Sequence, residues 1–182
     1  MTDPRVLHLV VCAAPPALQI GELVELLKQD GWTVCVIATP TAARWLDQAA
    51  LTEQTGYPVR SEWRLPGEPD VHPRADAVMV APATFNTINK WALGISDNLA
   101  LGILNETIGA GLPIVAFPYA KDALASHPAY GTHLQRLRVA GVNIAAGAPW
   151  SLQRRGDTYS WRNVADALNQ QRPAWRGASQ RS

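Results

Sequence analysis

With 182 residues the chain is long enough for one domain with a real core, and 47% hydrophobic against 17% charged residues is ordinary for a globular α/β protein. Sixteen basic and 15 acidic residues leave a formal charge of +1, which gives no argument for a nucleic-acid or membrane partner. No signal peptide or long apolar span is visible, so a cytoplasmic location is expected. Both thiols, Cys12 and Cys35, are then expected free, behaving as small hydrophobes inside apolar runs.

In chain order, "VLHLVVC" (Val6 to Cys12) is short, β-branched and apolar, and predicts a buried strand. "LQIGELVELLKQDG" places Leu18, Leu23, Leu26 and Leu27 on one helical face and stops at Gly31. A second strand follows at Thr33 to Ala38, and a helix is expected over 41–50. Residues 52–75 carry Pro58, Pro66, Pro69 and Pro73 and read as an excursion without a helix. "AVMVA" (77–81) is the third strand, followed by helices over 87–94 and 97–109. "PIVAF" (Pro113 to Phe117) is the fourth strand. His127 and Pro128 open a helix over 129–140, and "GVNIAA" after Gly141 is the fifth strand. A last helix is expected over 163–170. Residues 171–182, basic and rich in Pro, Gly and Ser, read as a frayed tail beyond a single domain of residues 1–170. Strands alternating with helices need crossover connections, so the class is doubly wound α/β with a parallel sheet.

Ligands of such sheets bind beyond the carboxyl ends of the strands. The segments there are "AAPPA", "TPTAA", "PATFNT" and "PYAKD". Thr39, Thr41, Thr84 and Thr87 read singly as helix caps. Together, at one sheet edge, they read as a seat for an anion or another small polar molecule. Neither GxGxxG nor GxxxxGK[ST] occurs, and the four histidines show no metal-ligand spacing, so no metal site is expected. The residues alone imply a small-molecule site and leave its ligand open.

The segment "APATFNTINKWALGISDNLALG" resembles the PASANT-xxK-xx-xG-xxDNL signature of the homo-oligomeric flavin-containing cysteine decarboxylases. That family includes phosphopantothenoylcysteine decarboxylase and the peptidyl-cysteine decarboxylases. The matching residues are Pro82, Ala83, Asn86, Thr87, Lys90, Gly94, Asp97, Asn98 and Leu99. The likeness extends over Val6 to Leu46, and in all about three-quarters of the chain follows the family pattern. The resemblance implies a Rossmann-like fold, FMN as cofactor with FAD as the alternative, and a trimer or dodecamer with flavin at a subunit contact. It places the phosphate near Ala13 and Ala14, with Thr41 in the role of the family serine and Thr39 beside it. The flavin ring is expected against Ala83, Thr84, Phe85 and Thr87. Asn86 is expected to hold the substrate carboxylate or position the reacting cysteine, and His72 to act as base. The implied chemistry is oxidation, with or without decarboxylation, of a cysteine-containing small molecule or peptide. The alternatives are a flavin carrier without turnover and a flavin prenyltransferase-like enzyme.

Four departures from the family pattern fall in the same regions. Ala13-Ala14 replaces Gly-Ser, and Pro15 and Pro16 follow, which removes a hydroxyl and two backbone N–H donors. Each hydrogen bond lost to a charged group costs about 1.5–3 kcal/mol. Lys121 stands where the family has an asparagine, and "GAPWSLQRRGDTYSW" lacks the cysteine of the pantothenate enzyme's clamp. His72 lies four residues before Asp76, closer to the third strand than the family histidine.

Overall fold

The apolar runs form the strands of a parallel sheet in a computed structural model that describes residues 5–145 and 160–176, the last six by backbone only. In chain order the strands are β1 (Arg5–Val11), β2 (Trp32–Ala38), β3 (Ala77–Thr84), β4 (Ile114–Tyr119) and β5 (Val142–Ile144), arranged β2-β1-β3-β4-β5. All pairings are parallel. Alternate side chains leave opposite faces of a strand. Leu7, Leu9, Val11, Val34, Val36, Met79, Val115 and Phe117 therefore share one core with α1 (Ile20–Gln29) and the C-terminal helix. Val10, Ile37, Val78, Val80 and Ala116 share the other core with the helices after β3 and β4. This is the two-faced, doubly wound arrangement that the sequence predicts.

Helix α1 buries Ile20, Leu23, Val24 and Leu27 and ends before Gly31, whose φ of +83° suits a residue without a Cβ. Leu18, expected on the buried face, is 65% exposed, because Pro15–Gln19 forms a separate 3-10 turn with its own direction. The helix expected over 41–50 is two helices, α2 (Pro40–Ala43) and α3 (Gln48–Thr55). Thr39 caps the first and Asp47 the second, its carboxylate accepting from Ala50 N–H at 3.0 Å. A capping side chain inside the run favours a new start over continuation.

The helix-free excursion expected over 52–75 starts later than predicted: residues 52–55 complete α3, and residues 56–76 contain no helix. Their backbone follows the free edge of β2: Ala38 N–H donates to Arg60 O at 2.8 Å and Arg60 N–H to Val36 O at 3.1 Å. This occupies an edge that would otherwise offer unpaired backbone groups. Trp63 lies so close over Gly102 that a Cβ there would come within 2.1 Å of the indole.

After β3 come α4 (Phe85–Ala92) and α5 (Leu99–Gly109). After β4 come α6 (Asp122–Ala125) and α7 (Pro128–Val139). The closing helix α8 spans Trp161–Arg176, six residues into the segment read as a tail. Residues 177–182 lie outside the described residues, as does most of the "GAPWSLQRRGDTYSW" stretch. Among the described residues no helix is long and apolar enough to cross a membrane.

Candidate functional site

Beyond the carboxyl ends of β1, β2, β3 and β4 lies a cavity of about 600 Å³, within the range of about 300–1,000 Å³ usual for small-molecule sites. All four segments singled out in the sequence contribute to it. Ala13, Ala14 and Pro15 come from the first, Thr39, Pro40 and Thr41 from the second, Thr84 to Thr87 from the third, and Tyr119 to Lys121 from the fourth. Strand order changes direction between β1 and β3, so the loops after them part and leave the crevice.

Two of the hydroxyls there cap helices, those of Thr39 and Thr84. Thr39 Oγ1 accepts from Ala42 N–H at 3.4 Å, which leaves its own hydrogen free to donate. Thr84 Oγ1 accepts from Thr87 N–H at 3.5 Å and donates to Thr87 Oγ1 at 3.2 Å. Cys12 S–H donates to the same Thr87 oxygen at 3.3 Å, which ties β1 to the start of α4 under the cavity floor. Burial pushes the Cys12 thiol above its ordinary pKa, against the pull of the Thr87 and Thr84 contacts, so it is a structural thiol.

Of the residues predicted for the site, Ala13, Ala14, Thr39, Thr41, Thr84, Phe85, Asn86 and Thr87 line this one cavity. Ala83 does not line it and is fully buried behind it. His72 does not line it either. It is 6% exposed beneath the 56–76 segment, its Nε2–H donating to Pro58 O at 2.7 Å and its ring edge-on to His8 and Tyr57. The reason is chain length: four residues separate His72 from Asp76, whose N–H already bonds Val6 O at the sheet's opposite end.

The rim supplied by Lys90, Asp97 and Asn98 was matched in the sequence motif without a site role. In the structure Lys90 forms an ion pair with Asp97. Asn98 caps α5 through Leu101 N–H at 3.1 Å and donates to Asp97 at 3.1 Å. The cavity's carboxylate is thereby paired, while Lys121, exposed and also lining the cavity, joins no ion pair among the described residues.

Phe85 opens α4 and stacks on Tyr130 of α7, with centroids 5.5 Å apart and planes at 28°. Burial pushes the Tyr130 phenol from 10.0 up to about 12. The folded chain therefore keeps a proton that the unfolded chain releases above pH 10. Tyr130 supports stability fully below that pH and progressively less as pH rises towards about 12. Urea midpoints measured across that window are expected to fall, and Tyr130→Phe to flatten the fall.

A doubly wound sheet with a hydroxyl-lined cavity at its switch point defines a small-molecule or cofactor-binding α/β protein. The Flavoprotein family profile matches residues 1–172, and the chain belongs to that family. It is 30% identical over 145 residues to the coenzyme A biosynthesis bifunctional protein CoaBC of Thermococcus kodakarensis, across 74% of this chain and 35% of that protein. It is 27% identical over 150 residues to the phosphopantothenoylcysteine decarboxylase of Arabidopsis thaliana, across 78% of this chain and 70% of that one. The chain thus spans 35% of the bifunctional relative's length. In three dimensions it is similar to the FMN-dependent cysteine decarboxylase SpaF, with a TM-score of 0.70 and 24% identity over 92% of this chain and 97% of that one. At that identity the likeness is one of fold. By their names, the Arabidopsis relative and SpaF are decarboxylases.

Proposed function

We propose that the chain holds FMN in this cavity and uses it to oxidise a cysteine derivative or a peptide ending in cysteine, with loss of the substrate carboxyl group. The observation that carries the reading is the convergence of Thr39, Thr41, Thr84, Asn86 and Thr87 on one crevice whose single carboxylate is paired with lysine. Such a donor set suits a phosphate at one end and a carboxylate at the other.

The residues fit the group, with a first loop poorer in donors than the family's. Ala14 N–H bonds Cys12 O at 3.0 Å, and Pro15, Pro16 and Pro40 have none to give. The phosphate end therefore depends on the Thr39 and Thr41 hydroxyls. When bound, FMN supplies a two-electron acceptor for a C–H bond adjacent to sulfur. Asn86, exposed on the first turn of α4, offers an amide N–H₂ to the substrate carboxylate. Lys121, which also lines the cavity, adds a positive charge that draws the same carboxylate in.

A flavin carrier without turnover is the second reading. It is favoured by the position of His72, which leaves no histidine among the described residues that line the cavity.

The test is the absorbance spectrum of the purified protein, mass analysis of the released chromophore, and anaerobic titration with thiols. The expected result is the two-banded spectrum of an oxidised flavin, FMN on release, and bleaching by a peptide ending in cysteine. FMN without bleaching by any thiol supports the carrier. A protein that stays colourless after addition of FMN overturns both.

A further inference from the structure

Away from the cavity, three metal-ligating side chains meet beneath the 56–76 segment. His8 of β1 and Cys35 of β2 are direct partners in the parallel register, so both rise from the same face of the sheet. His72 descends on them from above. One nitrogen of each ring and Cys35 Sγ all lie within 4.8 Å of one another.

The hydrogen bonds fix the tautomers. His8 Nε2 lies 2.9 Å from Pro73 O, and His72 Nε2 lies 2.7 Å from Pro58 O. A carbonyl oxygen only accepts, so both rings carry their proton on Nε2 and keep the Nδ1 lone pair free. His72 Nδ1 is buried without a hydrogen-bond partner among the described residues, a state that native structures rarely leave unexplained. A backbone carbonyl on the far ring nitrogen is the arrangement that orients metal-ligating histidines.

We propose that His8, Cys35 and His72 bind a divalent cation of the zinc class, which clips the 56–76 segment to β1 and β2. One thiolate and two imidazoles suit a borderline-soft d-block ion over calcium or magnesium. A tetrahedral ion with bonds of about 2.0–2.3 Å sets its ligand atoms about 3.5 Å apart, so the side chains need to close by no more than about 1.3 Å from the 4.8 Å limit. On binding, the Cys35 S–H bond breaks, an S–metal bond forms, and the proton leaves to solvent. A fourth ligand position remains for water. The clip secures the excursion that also edges β2 through Arg60 and covers Gly102 with Trp63.

The site is separate from the proposed flavin cavity, and its test reads the metal directly. Chelator-treated protein is titrated anaerobically with Co²⁺ in the presence of a non-thiol reductant. The expected result is saturation at a one-to-one ratio, with the visible bands of a four-coordinate ion and a near-ultraviolet thiolate-to-cobalt charge-transfer band, all displaced by Zn²⁺. Cys35→Ser removes the charge-transfer band, and His72→Ala weakens binding about tenfold or more. Zn²⁺ raises the unfolding temperature of the parent chain. Absence of the charge-transfer band, or its survival in Cys35→Ser, overturns the proposal. Should Cys35→Ser fail to fold, His8→Gln on a half-buried side chain carries the test. Its cobalt affinity falls about tenfold or more, and unchanged affinity overturns the site.

Discussion

Replacing Trp91 by alanine is expected to lower stability by about 3 kcal/mol and to weaken the proposed FMN binding with it. The side chain is 2% exposed and packs among Ile88, Leu101 and Leu104 in the core between the sheet and the helices after β3. Large-to-alanine changes at aromatic core sites cost about 3–5 kcal/mol. The lower end is expected here for a specific reason. Trp91 Nε1–H is buried and has no acceptor among the described residues, so the mutation also removes an orphaned donor. Trp91→Phe keeps most of the volume, loses the same donor, and is expected to cost much less. The coupling to function follows from position: Trp91 holds α4 against the sheet, and the first turn of α4 is the cavity wall from Phe85 to Thr87. Urea unfolding gives the stability change. FMN titration of the folded alanine variant, by flavin fluorescence, is expected to show reduced affinity. Parent-like affinity would mean that the Thr84–Thr87–Cys12 hydrogen bonds hold the wall without the indole.

The framework was legible because its signals are local. β-branched apolar runs, helical spacing of leucines and glycine stops all act within a few residues, and they located five strands and the doubly wound class. Boundaries moved where a second local signal competed, as when Asp47 started α3 inside an apparent single helix. The threonines were legible as a group because a parallel sheet carries every strand end to the same edge. What spacing could not supply is proximity between distant segments. His8, Cys35 and His72 are scattered over more than sixty positions and have no ligand spacing, yet strand register and one loop bring them together. Topology thus brings together three metal-ligating side chains that spacing leaves apart. The same loop carries His72, which hydrogen-bonds Pro58 and does not line the cavity.

Substituting Asn86 by aspartate is expected to abolish thiol-driven bleaching while leaving the fold intact. Asn86 is exposed, so the change disturbs no core packing. Its place in the first turn of α4, after the Thr84 cap, makes a negative side chain neutral or mildly favourable for the helix. The effect on substrate is opposite in sign. An amide that donates to a carboxylate becomes a carboxylate facing it, so attraction turns into repulsion in a partly enclosed site. Removing a single preorganised donor lowers turnover by about 100- to 1,000-fold, and added repulsion moves the loss towards the upper figure. The rate of anaerobic bleaching by a cysteine-ending peptide measures it, with FMN affinity and the urea midpoint as controls. A variant that folds, binds FMN and no longer bleaches assigns Asn86 to the substrate carboxylate. Bleaching at the parent rate removes Asn86 from that role and leaves Lys121 as the cavity-lining cation able to hold the carboxylate.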